Sequence, residues 1–250
     1  MTLATGAFII VAAFLTAAIS GVFGMAGGLM LKGALALVLP VSATFVVHGL
    51  LQLVANGWRA ILHRKHVSWR IVGIYALGAF TAGGLIGLVV YEPTRATLFL
   101  LMGLVPGLIW LPPGWIKVDA SRPSQAYICG LSVTGMNLTA GVAGPLLDVF
   151  FVRTALTRHQ IVATKAATQV FSHLMKIVVY GAPLLASGGK GIPPLWVFAL
   201  AIPLSMLGTA AGGIVLDRLS DVDFKRYLRL ILTVIGLAYL VQAARLFLLA

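Results

Sequence analysis

His48, Gln52 and Asn56 recur at four-residue steps, and Lys165, Gln169 and His173 do the same 117 residues later. On a helix, four-residue spacing puts each trio on one face. Both trios sit inside otherwise apolar runs, at 43–62 and 160–180. An amide buried there must find a partner or cost stability. Lys32, Arg59, Lys165 and Lys176 also fall in apolar segments, with Asp148 as the one carboxylate in such a position. A charge at membrane depth costs about 2.5 to 3.5 kcal/mol on insertion scales, so each is a functional candidate by default. The bias is positive, which suits an anion.

Two glycine-rich breaks complete the pattern: Gly24-Met25-Ala26-Gly27-Gly28 and Gly141-Val142-Ala143-Gly144-Pro145. Short apolar stretches at about 29–39 and 145–156 follow them and read as half-helices. The free N–H groups of two helix starts, approached through residues without a Cβ, are suited to holding anionic oxygens. Substrate contact is therefore expected of Gly24, Met25, Ala26, Gly27, Gly28, His48, Gln52, Gly141, Val142, Ala143, Gly144, Lys165 and Gln169. Asn56, Asp148, His173 and Lys176 are expected beside them, in coupling or supporting roles. Each has a plainer alternative. The glutamines could bond between helices, and the break glycines could serve close packing, the preferred reading for Gly83, Gly84, Gly212 and Gly213. Arg59 and Lys176, near helix ends, are expected to snorkel. Asp148 reads as a counter-ion to a nearby cation, and either histidine could carry a coupling proton or be a packed hydrogen-bonding group.

These residues require helices in lipid to hold them. The 250 residues are 60% hydrophobic and 10% charged, and the mean hydropathy is +1.03. A soluble domain of that composition would expose large apolar patches. Apolar runs at about 3–23, 43–62, 71–90, 96–111, 125–138, 160–180, 195–216 and 228–249 predict eight main helices in an all-α integral membrane fold. Trp58, Trp69, Trp110, Trp115 and Trp196 lie near the ends of these runs, as membrane-interface indoles do. The segment 3–23 has no basic leader and no Ala-x-Ala site, so it reads as part of the mature protein. The net charge of +12 resides mostly in short loops and reads as a topology signal; nucleic acid is not expected. Cys129 can form no disulfide within the chain. No metal-ligand cluster or nucleophile elbow is visible, and six acidic residues argue against a paired-carboxylate enzyme, so no cofactor or metal is expected.

The Pro-rich loop from Leu111 to Pro123 divides the chain near residue 120, giving a first repeat over 1–120 and a second over 121–250 within one membrane domain. The 117-residue offset superposes both breaks and carries His48, Gln52, Asn56 and Arg59 onto Lys165, Gln169, His173 and Lys176. If each half crosses an odd number of times, one face collects Arg64, Lys65, Arg70, Lys117, Arg122, Arg153, Arg158, Arg218, Lys225, Arg226 and Arg229, and the other keeps Arg95 and Lys190. The positive-inside rule then favours inverted repeats, each a broken or re-entrant hairpin plus three transmembrane helices, with both termini outside the cytoplasm.

The chain resembles the TauE/SafE family of sulfite exporters and sulfonate permeases. The resemblance rests on Gly21-Val-Phe-Gly24-Met-Ala-Gly27-Gly28 ahead of the helix with His48 and Gln52. It rests equally on Gly141-Val-Ala-Gly144-Pro145-Leu146 ahead of Val162-Ala-Thr-Lys165-Ala166 and the stretch from Lys176 to Gly181. It implies an inner-membrane carrier for sulfite, thiosulfate or organosulfonates, framed by two repeats. Family members commonly carry a denser glycine run than Ala26-Gly27-Gly28 or Ala143-Gly144-Pro145, which leaves the particular anion open. The expected function is a secondary transporter of a small sulfur-containing anion working by alternating access, with protons as a candidate coupling ion and lipid as its surroundings. An anion channel of the same architecture is the alternative.

Overall fold

The computed structural model describes all residues except Met25, Val90, Tyr91, 113–117, Asp217 and Ala250, and the side chains of Arg158, Asp221, Val222 and Lys225. The expectations for Met25, Trp115 and Lys117, and for the side chains of Arg158 and Lys225, thus lie outside the described residues.

Ten helices follow in chain order: α1 (Leu3–Phe23), α2 (Ala26–Val38), α3 (Val41–Leu62), α4 (Trp69–Val89), α5 (Arg95–Leu104), α6 (Pro123–Thr139), α7 (Gly144–Phe151), α8 (Arg158–Ala186), α9 (Leu195–Leu216) and α10 (Asp221–Leu248). No strand occurs among the described residues. Helix starts are set locally. Thr2, Thr94 and Ser220 accept a backbone N–H of the first turn of α1, α5 and α10. Thr157 forms a reciprocal capping box with Gln160 on α8.

Six helices, α1, α3, α4, α8, α9 and α10, are long and apolar enough to cross a membrane. The predicted span at 96–111 instead splits into α5 and a 3-10 turn, Val105–Trp110, that contains Pro106. Proline has no N–H to donate and its ring crowds the preceding turn, so the α-helix stops there. The span predicted at 125–138 is the 17-residue α6, about 25 Å long at 1.5 Å per residue and slightly short of a full crossing.

Polarity is arranged for lipid. Leu77, Leu88, Leu207, Ile214, Leu230 and Leu237 are exposed on the outside, whereas Lys32 and Lys176 have no exposed surface at all. An outer coat of leucine around an ionisable interior is the reverse of a soluble domain.

Neighbouring helices fix the directions. α2 returns along α1, with Gly27 against Thr16 and Ser20. α1 runs parallel to α9, since Gly6 packs on Trp196 and Val197 while Gly21 packs on Thr209 and Gly212. α3 and α8 are antiparallel: Gly49 faces Lys176 and Ile177, Gly57 faces Val170, and the Ser68 N–H donates to Thr164 at 2.9 Å. α5 and α10 are antiparallel too, with Phe99 against Tyr239 and the Trp110 indole donating to Thr233 at 3.0 Å. Of the four glycines assigned to packing, Gly83 lies on Met175 and Gly212 on α1, but Gly84 and Gly213 meet no neighbour within 4 Å.

Candidate functional site

Each broken helix turns at one glycine. Gly24 has φ 66° and Gly141 φ 81°, positive-φ conformations that cost a residue with a Cβ roughly 1–3 kcal/mol. These turns end α1 and α6 and aim the N-termini of α2 and α7, with their unpaired first-turn N–H groups, toward the middle of the bundle. There, Gly24, Gly28, Leu29, Val142, Ala143 and Gly144 border a cavity of about 30 Å³. That is room for one or two water-sized groups.

The rest of the wall is polar. α1 contributes Ser20, α6 Asn137, α3 His48, Gln52 and Asn56, and α8 Gln169 and His173. All seven side chains are buried. Lys176, behind this wall and fully buried, donates to Asn137 Oδ1 at 2.6 Å and to the Gly141 carbonyl at 2.7 Å. Its Nζ also lies 3.2 Å from His48 Nδ1, and His48 Nε2 lies 2.9 Å from the Gly28 carbonyl. With an ammonium on Lys176, Nδ1 accepts and Nε2 carries the hydrogen, so one chain of bonds ties the two breaks together. Asn56 braces Gln52, its Nδ2 donating to the Gln52 carbonyl at 2.9 Å and to Oε1 at 3.3 Å. Gln169 Nε2 donates to Tyr75, whose hydroxyl is 2.6 Å from Ser172.

Two polar atoms of residues at this cavity have no hydrogen-bond partner among the described residues: Asn137 Nδ2 and His173 Nδ1. Because Asn137 Oδ1 is held by Lys176, its amide N–H groups are left for whatever occupies the cavity. Among the described residues no carboxylate borders it. Lys32 adds a second buried amine nearby, its Nζ 3.1 Å above the Phe45 ring and without a hydrogen-bond acceptor among the described residues. The surroundings favour negative charge in the cavity.

The structure thus brings together Gly24, Gly28, His48, Gln52, Asn56, Val142, Ala143, Gly144, Gln169 and His173 from the expected set. Gly141 and Lys176 stand directly behind them. Ala26 is buried in the hydrophobic core instead, and Gly27 against Thr16 and Ser20 of α1. Lys165 stands outside this cavity wall and forms an ion pair with Asp148 of α7. It shares a helical face with Gln169, but α7 packs over that turn and supplies a carboxylate. The snorkelling expectation is corrected. Lys176 is enclosed, and Arg59 is only 6% exposed, reaching inward to Ser20. Polar partners on facing helices hold both in place of the lipid interface. Sequence reasoning missed Ser20 and Asn137. The repeat offset that carries Gly24 onto Gly141 carries Ser20 onto Asn137, and that match was the available signal.

Fold and site together define a multi-pass helical membrane protein with a buried, cation-backed polar cavity. The sequence model of the sulfite exporter TauE/SafE family matches residues 9–239, and the chain belongs to this family. No curated protein and no solved structure matches the chain. Members of the family are transporters of sulfur anions.

Proposed function

We propose that the protein is a secondary transporter that carries sulfite, thiosulfate or an organosulfonate across the inner membrane by alternating access. The observation that carries this reading is the central cavity, where two helix N-termini and the amides of Gln52, Asn137 and Gln169 converge with Lys176 behind and no described carboxylate in the wall. Compact sulfur oxyanions present several acceptor oxygens, which suits converging N–H donors. The cavity is tight in this conformation, so movement of the helices must accompany loading.

Two inverted repeats would provide that movement. In support, the elements that correspond between the halves, α3 with α8 and α5 with α10, pack antiparallel, as a two-fold axis in the membrane plane requires. In the same reading, the end of the molecule with Arg64, Lys65 and Arg70 faces the cytoplasm and both termini face away from it. His173, with Nδ1 open to the cavity, is the group we assign to proton coupling, since both ring nitrogens of His48 are engaged.

The test is counterflow in proteoliposomes with labelled sulfite, thiosulfate, sulfate and several organosulfonates. Saturable exchange of a sulfur anion, weakened in Gln52→Ala, is the expected result. Large non-saturating conductance would point to a channel, and absence of flux for every sulfur anion would overturn the reading.

A further inference from the structure

Beside the central cavity lies a larger one, of about 340 Å³, bordered by Gly21 of α1, Arg59 of α3, His63 just after α3, His159 of α8, and Thr209 and Gly213 of α9. Its size falls within the range of small-molecule pockets, and it stands at the end of the bundle where Arg64 and Lys65 follow α3. Arg59 is 6% exposed. A guanidinium has five N–H donors, yet its hydrogen bond among the described residues is a single one, to the Ser20 hydroxyl at 3.3 Å. No described carboxylate pairs with it. Thr209 of α9 borders the same cavity and is buried, its hydroxyl without a hydrogen-bond partner among the described residues. The guanidinium is thus a cation on the cavity wall with donors that its one hydrogen bond does not use, free to meet water or the oxygens of a ligand.

The geometry points to a second anion site in this vestibule, where the Arg59 guanidinium, with Thr209 beside the same space, holds the oxygens of a sulfonate or sulfate-class oxyanion. A planar guanidinium fork matches two oxygens of such a group. Ser20 joins the two spaces, because it accepts from Arg59 and also borders the central cavity. An anion held at Arg59 is therefore one hydroxyl away from the amides of the central site. Its role as a waiting position rests on the proposed transport; its occupancy does not, and is tested without flux.

Thr209→Cys in a Cys129→Ala background places one thiol in the vestibule. Modification rates are compared for anionic sulfonatoethyl and cationic trimethylammonioethyl methanethiosulfonate, each normalised to a free thiol, with reagent added from the basic face. The expected result is at least tenfold faster modification by the anionic reagent, slowed by sodium ethanesulfonate. Arg59→Gln should abolish both the preference and the protection, and Arg59→Lys should keep most of the preference, which serves as the readout if Arg59→Gln does not fold. Equal rates for the two reagents, a preference that survives Arg59→Gln, or no modification by either reagent would overturn the second site. Loss of the preference together with saturable, Gln52-dependent counterflow would sink the vestibule alone. The opposite pair of results would sink the central site alone.

Discussion

At the scale of single residues, Gln52, Gln169 and Lys176 differ in what their loss should do. The glutamine amides face the cavity, and a hydrogen bond to a charged group contributes about 1.5–3 kcal/mol. Gln52→Ala and Gln169→Ala should therefore each raise the KM for the transported anion by about tenfold or more while leaving the amount of folded protein unchanged. Lys176 satisfies Asn137, Gly141 and His48 at once. Lys176→Met leaves buried groups unmet at about 1–3 kcal/mol each, so a thermal shift in detergent should show a clear fall in Tm alongside lost transport. Lys165 contrasts with it. If its partner is Asp148 and not the anion, the double variant Lys165→Met with Asp148→Asn should transport with a KM within about threefold of the parent, because an ion pair this exposed contributes only about 0–1 kcal/mol. A tenfold rise would return Lys165 to the binding site.

At the scale of elements, the site depends on where α1 and α6 stop. Gly24 and Gly141 end them in positive-φ turns, and the N-termini of α2 and α7 point inward as a result. Gly141→Ala should cost more than Gly24→Ala. Both variants pay for a positive-φ backbone, roughly 1–3 kcal/mol, but a Cβ at Gly141 would also lie 2.7 Å from the Lys32 side chain, whereas one at Gly24 meets nothing within 4 Å. The difference should appear as a lower Tm and a lower yield of monodisperse protein for Gly141→Ala. The reverse order would mean that Lys32 moves aside freely.

At the scale of the whole molecule, charge and direction go together. Arg95 donates to the Leu39 carbonyl at 3.0 Å, and Gly191, next to Lys190, packs on Pro40. These residues share one end of the bundle, and the start of α1 lies at that end, near Trp196. With the basic end in the cytoplasm, alkaline phosphatase fused at the C-terminus should be active and green fluorescent protein fused there dark. The opposite pattern would invert the orientation and put the Arg59 vestibule on the outer face.

The residues themselves determined much of this protein. Apolar runs of about twenty residues permit only membrane helices, because every backbone polar group in lipid must be bonded within its own segment. Glycine-rich breaks and matched polar stripes located Gln52, Gln169, His48 and His173, since a costly buried amide or imidazole stands out against leucine and alanine. What periodicity cannot carry is which neighbour faces a given side chain. Lys165 and Lys176 lie on the same helix, the first expected as an anion ligand and the second as a snorkelling residue, yet α7 brings Asp148 to the first and α6 brings Asn137 to the second. Arg59 looked like a residue reaching for the interface until α1 placed Ser20 beside it. Those outcomes depend on contacts between segments tens to more than a hundred residues apart, and only tertiary packing decides which cation is neutralised and which is left for a ligand.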